Sequence, residues 1–430
     1  MPTSIRDFVM QHPLFCHHNH HRNFSDFDSQ RAEFDFRSLL GYADADLDAA
    51  AGARPSDIPD QAQRVAALWP NIRTTGYGRA VTLGCRALFG LDYSPENFAG
   101  ITSALRDAIK DKPASEVYEY FVREKANTRW TLNDCHLYGN DPSTQADGAF
   151  PDYYHFTWRM DGLFCMVDGA PIQQLEDATG ISILNLDHLV NAINASITTF
   201  KRGARFAAIK NAMAYARDLA VTDPTRHEAA LAFNRIRNLK EWRGGIQQEN
   251  GAVNAREARP LADYIFHRLM ERAHDEDIPV QIHTGYLAGS WGELRGTNAS
   301  LLIPIFDKYR RVRFDVFHAS WPWTSELGAT AKNYPNVYPD LCWAWTMNPA
   351  QSERALSEWL DAVPFNKIFG YGADTGLPWC DVGYALQARL GIARVLEQKI
   401  EAGYFSPSTA EEVAAAVMLK NGEEFLGLSS

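Results

Sequence analysis

Four of the five residues His17–His21 are histidines, in the run "LFCHHNHHRNF". His18 and His20 stand two apart at the end of an apolar stretch. On an extended strand alternate side chains share a face, so both imidazoles can turn one way while His17 and Asn19 point away. Three more apolar runs end in a group able to bind a metal: "IPVQIHTG" at His283, "RVRFDVFHAS" at His318 and "KIFGYGADTG" at Asp374. Each has a plainer reading alone. A single histidine can be a hydrogen-bonded core residue, and Asp374 can cap a turn. Taken together, His-x-His, His, His and Asp, each at a predicted strand end, make a nitrogen and carboxylate donor set. That set suits zinc, manganese or iron better than calcium.

The elements that must position these groups follow from the same runs. "RWTLND" ends at Asp134, "DYYHFTWRMD" at Asp161 and "ARFAAIK" at Lys210, and "NVYPDLCWAW" follows strand six. With the four runs above this gives eight candidate strands. Helical patterns lie between them. In "RPLADYIFHRLMERAHDEDIP", Pro260 suits a first helical turn, and Leu261, Ile265, Leu269 and Ala273 repeat every four residues as a core-facing stripe. "SERALSEWLDAVP" behaves the same way. Eight strands alternating with helices predict an α/β fold, a parallel (β/α)8 TIM barrel with C-terminal helices, as a single domain over residues 1–430. In such a barrel the strand C-termini converge on the mouth. Residues 22–115 are far more than one crossover needs and predict a mostly helical insertion there. The stretch 220–258 contains "EWRGGIQQENGAVNAREARP", which reads as a loop and a candidate lid.

Composition bounds the function. The chain has 430 residues, 46% hydrophobic and 12% aromatic, enough for a sizeable core. Its formal charge is -11 and no Lys/Arg block stands out, which argues against nucleic acid or an anionic membrane as partner. The N-terminus has no apolar signal-peptide core, and no run of 18 apolar residues exists. Cys16, Cys85, Cys135, Cys165, Cys342 and Cys380 are scattered without a CxxC pair. The expectation is a cytoplasmic protein with reduced thiols, acting on a small molecule, with enough aromatic residues to permit a homo-oligomer.

The stretches "HHNHH", "AAIKNAMAYARDL", "LADYIFHRLMERAHDEDIPVQIHTG", "FDVFHASWPWTSELGATAKNYPNVYPDL" and "NKIFGYGADTG" resemble the amidohydrolase superfamily. The branch is amidohydrolase-2, which includes uronate-isomerase-like and FluG-like proteins. "TTGYGRAVTLGCRALFGLD" and "WRMD" look like the uronate isomerase insertion and its Arg-x-Asp strand. The resemblance implies one divalent metal, zinc first, with manganese or iron as alternatives. It implies ligands His18 and His20 from strand one, His283 from strand five and Asp374 from strand eight. His318 would bind a second metal or contact substrate. Lys210 sits where some members carry a carbamylated lysine between two metals. Because the branch is mostly mononuclear, an ordinary lysine near the mouth, or one binding a substrate carboxylate, is the favoured expectation. Cys16 stands where the family often has Asp, and Met160 where uronate isomerases have Pro.

A divalent cation lowers the pKa of water and polarises a carbonyl oxygen. Asp374 would take the water's proton and deliver it to a leaving group. His318 would stabilise oxyanion charge. Arg159 would grip a substrate carboxylate, or else pair with Asp161 or Asp134. Trp321 and Trp323 would form an apolar or sugar-stacking wall, or pack under the insertion. Tyr286 and Arg295, after strand five, are further substrate-binding candidates. Hydrolysis of an amide, ester or lactone is the leading expectation. Uronate-like aldose–ketose isomerisation or decarboxylation is the alternative, and a non-catalytic barrel scaffold the third.

Overall fold

The computed structural model describes residues 4–52, 58, 60–134, 148–237 and 254–428. Seven strands form one sheet in chain order: β1 Leu14–Asn19, β2 Thr128–Asn133, β3 Tyr154–Arg159, β4 Phe206–Asn211, β5 Val280–Ile282, β6 Phe314–Val316 and β7 Val337–Pro339. Every neighbouring pair is parallel, as helical crossovers require. Phe156, Trp158, Val280, Ile282, Phe314 and Val316 are fully buried, because both faces of the sheet are covered.

The eighth expected strand departs from this pattern. The segment 368–374 makes only one regular bridge, Asp340 to Phe369. Its backbone still serves both outer edges of the sheet. Toward β7, Phe369 N donates to Pro339 O (3.1 Å) and Trp343 N to Gly372 O (2.8 Å). Toward β1, His17 N donates to Tyr371 O (3.0 Å) and Asp374 N to His18 O (2.9 Å). Left-handed backbone at Asp374 (φ 51°) ends the extended geometry there. The sheet curls far enough for one segment to reach both of its edges. The other predicted strand ends fall close to expectation. β3 stops at Arg159, with Asp161 opening a short 3-10 helix, and β5 and β6 stop just before His283 and His318.

Between β1 and β2 the chain is helical, with helices Phe24–Gln30, Asp44–Ala51, Gln61–Ile72, Gly76–Phe89 and Phe98–Ile109. Helix Gly76–Phe89 docks on the long C-terminal helix Cys380–Glu401 at a glycine crossing. A Cβ on Gly383 would lie 2.1 Å from the Ala80 carbonyl oxygen, so only glycine permits this approach. Gln387 bridges the same junction, its Nε2 donating to Gly76 O (2.9 Å) and Trp345 O (2.7 Å).

Helix Ala255–Asp275 starts earlier than its sequence suggests. The Asn254 side chain caps it by accepting from Glu257 N (3.0 Å), so Pro260 lies inside the helix rather than in its first turn. Leu261, Ile265, Leu269 and Ala273 are buried along one stripe, as their spacing predicts. The expected loop is therefore corrected at Ala255–Pro260, which is helical. Arg226–Arg237 is also a helix, and residues 238–253 of that loop lie outside the described residues. Among the described residues no helix is long and apolar enough to cross a membrane.

Candidate metal centre

The site begins with an irregularity in β1. Cys16 pairs with Thr131 and Asn19 with Asn133, so three steps on β1 match two on β2. One extra residue in a strand breaks the alternation of faces. As a result His17 and His18 both turn to the concave side of the sheet. His17 Nδ1 lies 3.6 Å from Asp315 on β6, a contact that can only be made across that concave face. This corrects the expectation that His17 points away. Asn19 does point away, donating to Asp381 (3.0 Å) behind the strand.

His18, His20 and Asp374 offer ligand atoms that lie within 4.8 Å of one another. Asp374 Oδ1 is 3.1 Å from His20 Nε2 and 3.8 Å from His18 Nε2. His20 Nδ1 donates to Asp134 O (3.0 Å), which turns its Nε2 toward Asp374, where a proton or a cation must join the two. Burial pushes the Asp374 carboxyl up, but the His20 hydrogen bond and the charges of His20, His318 and Lys210 outweigh it, leaving the pKa at about 2. His18 is held well below the usual imidazole range by burial and then by Lys210, so it stays neutral. Two imidazole nitrogens and an ionised carboxylate are a donor set that fits a divalent cation.

His283 and His318 stand beside this cluster. His318 Nε2 is 3.7 Å from Asp374 Oδ2 and 2.9 Å from His283 Nδ1. The outer nitrogen of each ring meets a backbone carbonyl: His318 Nδ1 at Cys342 O (3.0 Å), His283 Nε2 at Tyr286 O (2.9 Å). Each carbonyl needs an N–H. The inner nitrogens therefore face one another as lone pairs unless positive charge, a proton or a cation, lies at that spot. His283 is thus brought to the centre but stands outside the three-atom cluster. Three consecutive left-handed residues, His318, Ala319 and Ser320 (φ 64°, 53° and 47°), turn the chain at the strand end and set the His318 ring.

Lys210, the last residue but one of β4, lies inside the same space. Its Nζ is buried, has no hydrogen-bond partner among the described residues, and sits 3.5 Å above the Phe317 ring. Burial lowers its pKa to about 8 against the pull of Asp134. Arg159 is clamped between Asp134 (2.6 Å) and Asp161 (2.5 Å). The pairing alternative is the one seen, and it places Asp134 3.9 Å from His18 Nε2.

A cavity of about 500 Å³ opens against His20, with Arg22, Asn23, Arg37, Tyr42 and Asp134 in its walls. Arg37 pairs with Asp35 (2.6 Å), whereas the Arg22 side chain makes no ion pair among the described residues. Arg22 is absent from the sequence-based candidates although it directly follows the histidine run. Tyr42 comes from the insertion and has no local signal at all. Trp321, Trp323 and Tyr286 do not line this cavity. Tyr286 packs between Trp321 (5.2 Å) and Trp343 (5.7 Å). Arg295 is not brought to this cluster: its side chain is 90% exposed and paired with Glu293 (2.5 Å).

Comparison with known proteins agrees with this geometry. A family model described as Amidohydrolase matches residues 204–428, just over half of the chain. Protein fluG of Emericella nidulans is 26% identical over 208 residues, covering 45% of this chain. The chain spans only 23% of that relative's length. Glucuronate isomerase from Caulobacter crescentus superposes with a TM-score of 0.77 at 14% identity, over 99% of this chain and 93% of that one. Uronate isomerase from Thermotoga maritima gives 0.76 at 13% identity, over 98% and 96%. A Lactobacillus casei protein described as a metal-dependent hydrolase gives 0.67 at 16% identity, over 100% and 98%. At these identities the structural likenesses show the fold. The matched profile and the fold together place the chain: it belongs to the amidohydrolase superfamily.

Proposed function

We propose that the chain is a metal-dependent hydrolase that cleaves an amide, ester or lactone bond in a small, carboxylate-bearing molecule. Its body is read as a single (β/α)8 barrel whose eighth stave is the segment 368–374, with the insertion 22–115 over the mouth. The observation that carries this reading is the convergence of His18 Nε2, His20 Nε2 and Asp374 Oδ1 beside a cavity of about 500 Å³. These three residues would hold the cation, zinc first, then manganese or iron, with His283 and His318 as the next nitrogens. When bound, it supplies Lewis acidity and water at a lowered pKa.

The chain's own residues do the rest. Asp374 stays ionised to about pH 2 and accepts the proton of the attacking water, then passes it to the leaving group. Burial keeps both His283 and His318 neutral, and since their outer nitrogens donate to backbone carbonyls, their inner nitrogens present lone pairs on the cation's side of the cavity. Lys210 adds positive charge in a buried place, where it acts strongly. Arg22 receives the substrate carboxylate at the cavity wall. Arg159 is a positioning residue that fixes Asp134 next to His18.

A second reading, aldose–ketose isomerisation of a uronate-like sugar, is favoured by one observation. The likeness to the two isomerases runs over at least 98% of this chain, insertion included. Metal-loaded protein incubated in oxygen-18 water with N-acyl amino acids, lactones, glucuronate and galacturonate separates the two. A new carboxylate carrying the label supports hydrolysis. A ketose product with no new labelled carboxylate supports isomerisation and contradicts the first reading.

A further inference from the structure

Below the mouth lies a second cluster that the proposed chemistry does not use. His17 on β1, Asp315 on β6 and Asp340 just after β7 present one nitrogen and two carboxylate oxygens within 4.8 Å of one another. All three are at most 2% exposed. Gln281 on β5 joins them, its Nε2 donating to Asp315 Oδ2 and to His17 O, both at 3.0 Å. Cys342 N donates to Asp340 Oδ1 at 2.7 Å. After those bonds are counted, Asp315 Oδ1, Asp340 Oδ2 and Gln281 Oε1 are left, all buried and without a partner.

With both carboxyls ionised, each unmet oxygen named here is an acceptor; burial and then the neighbouring Asp315 push the Asp340 carboxyl well above its usual range, so the pair must hold either a proton or a cation. Burying such groups without a donor is costly, and burying two neighbouring carboxylates is costlier still. The walls offer no relief, since the His17 ring is stacked on Phe369 (4.1 Å) and packed against Phe15 (4.6 Å). Positive charge is what the layer lacks. Donor atoms with these separations leave a central ion about 2–3 Å from each, the reach of metal–oxygen and metal–nitrogen bonds. Oxygen-rich donors with one imidazole favour a hard ion over a thiophilic one.

We propose that His17, Asp315 and Asp340, with the Gln281 side-chain carbonyl, form a second and separate binding site for a hard divalent cation of the manganese or magnesium type. It ties β1, β6 and β7 together one layer under the mouth. His17 is the chain neighbour of His18, and Asp340 stands two residues before Cys342, whose carbonyl holds His318. The cation at this depth therefore braces the residues above it.

The test uses the whole protein, freed of metal with a chelator and titrated with Mn2+ alone. Bound metal is counted after gel filtration in wild type, His18→Ala/His20→Ala, Asp315→Asn and Asp340→Asn. Two equivalents in wild type, and one in the double variant and in each Asn variant, support the site. One equivalent in wild type that disappears with His18 and His20, or two retained in both Asn variants, overturns it. Because a barrel-interior variant can fail to fold, wild-type crystals soaked in Mn2+ give an independent reading at the manganese edge. An anomalous peak among His17 Nδ1, Asp315 and Asp340 supports the proposal. A peak only at His18, His20 and Asp374, with the carboxylates in direct contact through a shared proton, overturns it.

Discussion

Asp374 is asked to be both ligand and proton carrier, and its surroundings make the two compatible. An anionic group held at about pH 2 by His20 and its neighbours is ready to bind a cation at neutral pH. Asp374→Asn keeps the shape and removes the base, so kcat falls by about 10^2–10^4-fold. Steady-state kinetics on the substrate found in the labelled-water screen checks this, and near-normal turnover rejects the role. Arg22→Met tests the other end of the substrate. Loss of a charge-assisted hydrogen bond, about 1.5–3 kcal/mol, raises KM by about 10- to 100-fold with little change in kcat. The same variant leaves an amide-capped analogue unaffected; an equal loss for both would show that Arg22 does not read the carboxylate. At this scale the sequence is uneven evidence. His18, His20 and Asp374 are legible only jointly, because each has a plainer use alone while several such donors at predicted strand ends point to one centre. The inward turn of His17 is not, because a one-residue irregularity leaves no trace in composition or alternation.

Elements converge on the site through packing that residue types only partly announce. Apolar runs mark seven strands well, since a strand buried on both faces has no polar alternation to blur it. The segment 368–374 reads as an eighth run, yet it forms one regular bridge and serves its neighbours through scattered backbone bonds. The start of helix Ala255–Asp275 is hidden by Pro260, which draws attention to the wrong turn, while the cap is Asn254. Docking of the insertion is least legible, because its contact is made by the absence of side chains at Gly84 and Gly383. Gly383→Leu therefore has a diagnostic sign. In an exposed helix the change would stabilise by about 1 kcal/mol. Here it drives a side chain into the Ala80 backbone, and urea denaturation is expected to show a loss of about 1–3 kcal/mol. A gain would show that helices Gly76–Phe89 and Cys380–Glu401 do not cross so closely.

For the whole molecule, burial sets how stability responds to acid. His155 on β3 is lowered to about 4 by burial and then by Arg205. The unfolded chain takes up that proton near 6.5, so between about pH 6.5 and 4 it binds more protons than the folded chain. Stability is full above that window and falls as the pH drops through it, by at most about 1.4 kcal/mol per pH unit for one proton. His155→Gln flattens that part of the profile in denaturant melts at stepped pH; an unchanged slope would remove His155 from the account. The parallel α/β sheet and the approach of His18, His20 and Asp374 could be anticipated because strand order decides which strand ends meet. The substrate could not, because part of the cavity wall comes from the insertion, where Arg37 lies on the short 3-10 helix Phe36–Leu39 and Tyr42 on the turn after it. What unites the molecule is the meeting of β1 with the segment 368–374, which brings residues some 350 positions apart to one point. Anomalous diffraction at the zinc edge from metal-loaded crystals tests that meeting directly. The account predicts a peak about 2.0–2.2 Å from His18 Nε2, His20 Nε2 and an Asp374 oxygen. A map with no peak among these three atoms, in crystals of protein that elemental analysis shows to carry metal, would contradict it.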